Sequence, residues 1–148
     1  MMTTVRRWVS PAIVQVGLEH WLPRPIEAAG AGTGATRGHD VVRTTKEWIE
    51  RHLGEPIDVS AMARRAELSR PRFTEVFRAI AGVPPWSYVM ERRVRRAREL
   101  LDRDVPASEA AAEAGFCDQS HMTRVFKRVT GTTPGEYRRD RTNVQDED

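Results

Sequence analysis

Residues 73–88 read FTEVFRAIAGVPPWSY, and 49 positions later residues 122–137 read MTRVFKRVTGTTPGEY. Phe73 falls on Met122, Thr74 on Thr123, Val76 on Val125, Phe77 on Phe126 and Ile80 on Val129. Gly82 then falls on Gly131, Pro85 on Pro134 and Tyr88 on Tyr137. Apolar residues three and four apart describe one face of a helix, glycine after them is a stop, and proline opens the next helix. Because the punctuation repeats along with the apolar positions, the chain holds two copies of one supersecondary unit. Upstream, the same offset puts Ala61 on Ala110 and Ala63 on Ala112. Each copy therefore reads as a short helix, a turn (Glu67-Leu68-Ser69 or Gly115-Phe116-Cys117) and a longer helix. That is a helix-turn-helix, whose second helix enters the DNA major groove. A helical hairpin used only for packing is the plainer alternative. Against it stand the polar starts of the second helices: Arg70, Arg72 and Glu75 in one, Gln119, Ser120, His121 and Arg124 in the other.

Working outward, Val41, Thr45, Trp48, Ile49 and Leu53 predict an amphipathic helix that Gly54 and Pro56 end. Asp58 caps a short helix to Ala66, Ser69 caps the next to Gly82, and Pro84-Pro85 opens a long one through Leu101. An alanine-rich helix runs to Ala114, Asp118 or a neighbour caps another to Gly131, and Pro134 starts a last turn or two through Tyr137. Seven helices and no strand make residues 41–141 an all-α body. Residues 28–38, AAGAGTGATRG, carry no large apolar side chain, so 28–40 read as a flexible linker. A phosphate-cradling loop would need a following Gly-Lys-Ser/Thr, which is missing. Residues 1–27, with Trp8, Trp21 and the part-alternating Ala12 to Leu18, are too few for a domain and are expected to form a strand or two. Residues 142–148 form an acidic tail.

The 148 residues suit one small domain with an appendage, and the net charge of +3 rises in the body, where 20 Lys and Arg face 15 Asp and Glu. No apolar run is long enough to span a bilayer. Gln15, Glu19 and Pro11 spoil the stretch after Arg6-Arg7 as a secretory leader, so a cytoplasmic chain is expected. The single cysteine, Cys117, excludes an internal disulfide and a multi-cysteine zinc site, and a small buried residue suffices there. No hydrolase, zinc-protease or dinucleotide fingerprint is present, so neither enzyme nor cofactor is expected. The joining helix packs five arginines (92, 93, 95, 96 and 98) into seven residues. Such a run is commonly a solvated face, and Glu91, Glu99 and Asp102 offer it partners, but guanidinium forks at this density suit a polyanion. At ~1.5 Å per residue, helix 85–102 spans about 27 Å, enough with its flanking helix widths to carry two reading heads about one DNA turn (~34 Å) apart.

The stretch GFCDQSHMTRVFKRVTGTTPGEYRR, residues 115–139, resembles the signature of the AraC/XylS family of bacterial transcription regulators, and 69–101 resemble that family's first half. The resemblance covers about 41–141 and implies a seven-helix DNA-binding domain, with a promoter operator and RNA polymerase as partners and a monomer or weak dimer as the state. By position it puts Pro71, Thr74 and Glu75 toward bases from the first reading helix, and Ser120, His121 and Arg124 from the second. Arg93 matches the arginine that steadies the joining helix or touches phosphate. Three departures stand out. Ala107, Ala110, Ala114 and Met122 replace bulkier residues, predicting a thinner second core. Pro71 has no polar reading group, which shifts weight to Arg70 and Arg72. The roughly forty residues before the body leave no room in this sequence for the family's larger sensor domain.

Arg124 is the strongest single candidate, because arginine bonding guanine O6 and N7 is the commonest specific contact. His121 would reach a base or phosphate, while Glu75 would accept from cytosine N4 or simply pair with Arg72 or Arg78. Phe73, Phe77, Met122, Phe126, Tyr88 and Tyr137 sit at core spacing, and Trp86 is expected partly exposed beside a phosphate. The rival from another class is a helical module that docks a protein and has no affinity for DNA.

Overall fold

A computed structural model describes residues 33–145, and its seven helices follow the punctuation of the repeat. They are α1 (Thr33–Arg51), α2 (Val59–Arg65), α3 (Arg70–Ala81), α4 (Pro85–Asp102), α5 (Ala107–Glu113), α6 (Gln119–Thr130) and α7 (Pro134–Gln145). Among the described residues there is no strand, as the periodicity predicts. Asp58 caps α2 by accepting from the amides of Ser60 and Ala61, and Ser69 caps α3 through Arg72 N at 3.3 Å. Asp118 caps α6 through His121 N at 2.6 Å. Gly82 and Gly131 end α3 and α6 at φ 81° and 87°, left-handed values that cost a side-chain-bearing residue about 1–2 kcal/mol.

The described residues divide into two compact units, 33–93 and 94–145, with the boundary inside α4. In the first, α1 and α2 pack on α3, around Ile49, Met62, Phe73, Phe77 and Val89. In the second, α5 and α7 pack on α6, around Leu101, Ala110, Ala114, Met122 and Phe126. The Phe77 and Tyr88 rings meet edge to face at 5.7 Å, and Phe126 and Tyr137 do the same at 5.7 Å. The alanines of α5 do make a core of small side chains: Ala110, Ala111 and Ala114 are all completely buried, so the helix backbone itself comes close to its neighbours.

Four expectations are corrected. First, α1 starts at Thr33, so residues 33–40 of the expected linker are helical, while 28–32 lie outside the described residues. The small side chains that looked unable to form a core are what permit close packing. A Cβ on Gly38 would sit 3.1 Å from Ile80 Cδ1 and 3.6 Å from Val76 Cγ1 on α3. Second, the closing helix continues to Gln145 rather than stopping near Tyr137. It starts with a reciprocal capping box, Thr133 N to Glu136 Oε2 at 2.7 Å and Glu136 N to Thr133 Oγ1 at 3.2 Å. Hydrogen bonds from Thr133, first from its backbone N–H and then from its side chain, hold the Glu136 carboxyl below its ordinary value. Arg141, near the far end, reaches back to Asp104 Oδ1 at 2.6 Å. Third, the offset of 49 holds only from the longer helices onward.

In the first turn Glu67 N bonds Arg64 O and Leu68 N bonds Ala63 O; in the second, Gly115 N bonds Ala112 O and Phe116 N bonds Ala111 O. The short helices are therefore 48 apart, with Ala63 matching Ala111, and Cys117 is an extra residue in the second turn. Fourth, Cys117 is exposed, not buried. The strands expected in residues 1–27 and the last acidic residues, 146–148, lie outside the described residues.

The matched turn positions differ in strain. Glu67 takes φ 55° where the second copy has Gly115 at φ 87°. Substituting Glu67→Gly is expected to raise the unfolding free energy by about 0.5–1 kcal/mol, and Gly115→Ala to lower it by about 1–2 kcal/mol, measured by urea denaturation. Equal effects of one sign would contradict this pairing of the turns.

Candidate nucleic-acid interface

Each reading helix buries one side and leaves the other to solvent because its apolar residues recur at three and four. In α3, Phe73, Val76 and Phe77 are buried, Arg70, Pro71, Arg72 and Glu75 are exposed, and Thr74 is half-buried. Pro71 occupies the first turn, where a missing amide hydrogen is harmless. In α6, Met122, Val125, Phe126 and Thr130 are buried, while Gln119, Ser120 and Arg124 are exposed and His121 is half-buried. Each unit thus brings its own candidates together on one helix.

The two helices offer different chemistry. On α3, Arg72 Nη1 and Glu75 Oε2 pair at 2.9 Å, so the cation and the acceptor partly occupy each other. On α6, Arg124 has no carboxylate partner among the described residues. Lys127 and Arg128 are also exposed, and Ser120, Arg124, Lys127 and Arg128 follow one another at helical spacing along one stripe. The sequence reading passed over Lys127 and Arg128, although the spacing from Arg124 was available to it.

The joining helix is where the structure most changes the reading of charge. Arg93 is buried, and it donates from Nε to Leu53 O at 3.1 Å and from Nη2 to Glu55 O at 2.8 Å, just past the end of α1. Of its two expected roles, steadying the joining helix is the one this geometry describes. Its guanidinium also lies 5.9 Å from the centre of the Trp86 ring, which is 43% exposed. Arg92 pairs with Glu50, bonding from Nη2 to Oε2 at 2.8 Å, with Nε in close ionic contact with Oε1. Arg98 stacks over Tyr137 at 5.3 Å, and Arg95 and Arg96 lie 3.6 Å and 3.8 Å from Glu99. The run of five arginines is mostly occupied within the protein and is not a free polycation.

A carboxylate tie recurs in both units, at residues that offset 49 alone does not align. In the first, Lys46 and Glu50 of α1 face Tyr88 and Arg92 of α4: Lys46 lies 5.2 Å from the Tyr88 ring, Glu50 takes a bond from Arg92, and its charge acts on the Tyr88 hydroxyl. In the second, Arg98 and Asp102 of α4 face Tyr137 and Arg141 of α7, with Tyr137 OH donating to Asp102 Oδ1 at 2.8 Å and Arg141 bonding Asp102 O. Burial, with the adjacent carboxylate, raises both tyrosine hydroxyl pKa values. Among the described residues no group of His, Cys, Asp and Glu is placed to hold a metal, and no helix is long and apolar enough to cross a membrane.

Comparison with known proteins agrees with this geometry. The helix-turn-helix domain family matches residues 62–140. The regulatory protein SoxS of Salmonella typhimurium is 28% identical over 99 residues, covering 66% of this chain and 92% of its own. The arabinose operon regulatory protein of Escherichia coli is 32% identical over 99 residues, again 66% of this chain but 34% of its own length. The chain thus spans about a third of that longer relative. The DNA-binding domain of AdpA, a global transcriptional factor solved in complex with a target DNA, superposes with a TM-score of 0.67 at 30% identity, over 72% of this chain and 97% of its own.

The two arginines predict opposite phenotypes. Arg93→Met strands two carbonyls and is expected to cost about 2–3 kcal/mol in thermal or urea unfolding. Arg124→Ala, at an exposed site, is expected to stay within about 0.5 kcal/mol of the parent in the same measurement.

Proposed function

The chain belongs to the AraC/XylS helix-turn-helix family of bacterial transcription regulators, and on that premise we propose that it binds double-stranded DNA sequence-specifically through α3 and α6. Each helix reads one of two adjacent major-groove segments of a promoter operator. The observation that carries this reading is the duplicated helix-turn-helix, each copy presenting an exposed polar face on its second helix. Two heads in one chain let a monomer do what most helix-turn-helix proteins do as dimers.

Within this reading the side chains divide the work by chemistry. Arg124 is the principal base reader, toward guanine. Gln119 and Ser120 offer hydrogen-bonding groups beside it. Lys127 and Arg128, further along the stripe, neutralise phosphate and supply salt-dependent affinity without sequence information. On α3, Glu75 accepts from cytosine N4, Arg70 and Arg72 bond guanine or phosphate, and Thr74 contacts a thymine methyl. Pro71 contributes shape and no polar contact. RNA polymerase is the partner through which operator binding controls transcription, the protein acts in the cytoplasm, and it binds as a monomer or weak dimer.

Selection of duplexes from a random library tests the proposal. The wild type is expected to enrich a bipartite motif with half-sites about one turn (~10 bp) apart, and Arg124→Ala to blur one half only. A single half-site would remove α6 as a reader. Binding that fades with salt and enriches no motif would contradict sequence-specific recognition.

A further inference from the structure

The extra residue in the second turn brings a backbone group that the first turn does not have. An added residue adds one backbone N–H, which bonds either water or an acceptor within the turn. In this chain the residue is Cys117, between Phe116 and the helix cap Asp118. Its N–H points to His121 Nδ1 at 3.5 Å. The His121 ring also stands edge-on to the buried Phe116, with centroids 5.4 Å apart and planes at 82°. At the matching place in the first unit stands Arg72, which pairs with Glu75. The shorter first turn has no counterpart of the Cys117 amide.

From this arrangement we infer that His121 is a positioning residue of the second reading helix, holding the inserted residue and the turn, and that it does not itself read a base. The inference rests on the proposed reading of DNA by α6 and reassigns one residue within it. With Nδ1 accepting, the neutral ring carries its proton on Nε2. The ring is anchored on the turn side by two contacts, one polar and one aromatic. Loss of the acceptor frees the turn that sets where α6 begins, so every contact of α6 with DNA weakens together. Loss of a base reader instead changes preference at one base pair.

Two substitutions separate these roles, because an asparagine oxygen falls near the place of Nδ1 and a glutamine oxygen near that of Nε2. The full chain carries one cysteine, so the rate of Cys117 with a disulfide reagent such as DTNB reports on the turn without DNA. His121→Asn is expected to keep the wild-type thiol rate and most of the affinity for a duplex selected by the wild type. His121→Gln is expected to speed the thiol reaction and weaken binding about tenfold, with no change in base preference at any single position. Arg124→Ala, the control, is expected to leave the thiol rate unchanged. The inference is overturned if Gln retains affinity where Asn loses it, or if neither variant changes the thiol rate. Should the wild type select no duplex, the proposed function fails, and the thiol rates still decide whether His121 holds the turn.

Discussion

A single carboxylate at the end of the first helix of each unit ties that unit together. Glu50 in one bonds an arginine and faces a tyrosine, and Asp102 in the other accepts from a tyrosine and pairs with an arginine, each from the helix that follows the helix-turn-helix. The ties join residues 35 to 42 apart in sequence, so each closes a loop that contains one whole helix-turn-helix. The same arginines answer a second need. A helix C-terminus leaves carbonyls without amide partners and carries partial negative charge. Arg93 takes the carbonyls after α1, and Arg141 takes the one that closes α4. The first unit divides the work between neighbours, Arg92 for the carboxylate and Arg93 for the carbonyls, whereas Arg141 does both in the second. Charge-assisted bonds of this kind contribute about 1–3 kcal/mol each where shielded from water, and less where exposed.

Much of this fold was legible in the sequence because its helices are marked by residues with local physical effects. Asp58, Ser69 and Asp118 cap where caps were expected, and Gly82 and Gly131 stop the reading helices in a left-handed backbone. What was missed is non-local. The Glu50 and Asp102 ties lie at an offset other than 49, so a single-shift overlay cannot pair them. The inserted Cys117 hid for a related reason: alanines occur at both offsets, and Ala63 can be laid on either Ala112 or Ala111. The Gly/Ala stretch before Val41 misled because small residues signal a linker when alone and close packing when a neighbour is present, and the neighbour here is α3.

The candidate interface shows the same division. That the polar residues of α3 and α6 share solvent-facing sides was readable from helical period. Of their partners, the Arg72–Glu75 pair was one of the readings the spacing left open, whereas the freedom of Arg124 and the attachment of His121 to its turn depend on the fold. The dense arginine run of α4 is the clearest lesson. Composition counts charges, but structure decides which are already spent inside the protein, and Arg92, Arg93 and Arg98 hold helices. On α6, by contrast, Arg124, Lys127 and Arg128 are exposed.

If each carboxylate serves its own unit, weakening one tie should disable one reading head. The direct measurement is a hydroxyl-radical footprint on a selected duplex, comparing the wild type with Asp102→Ala. The wild type should protect two segments about one helical turn (~10 bp) apart, and Asp102→Ala should lose one while keeping the other. Loss of both together, or a single protected segment with the wild type, would contradict two separately tied reading units.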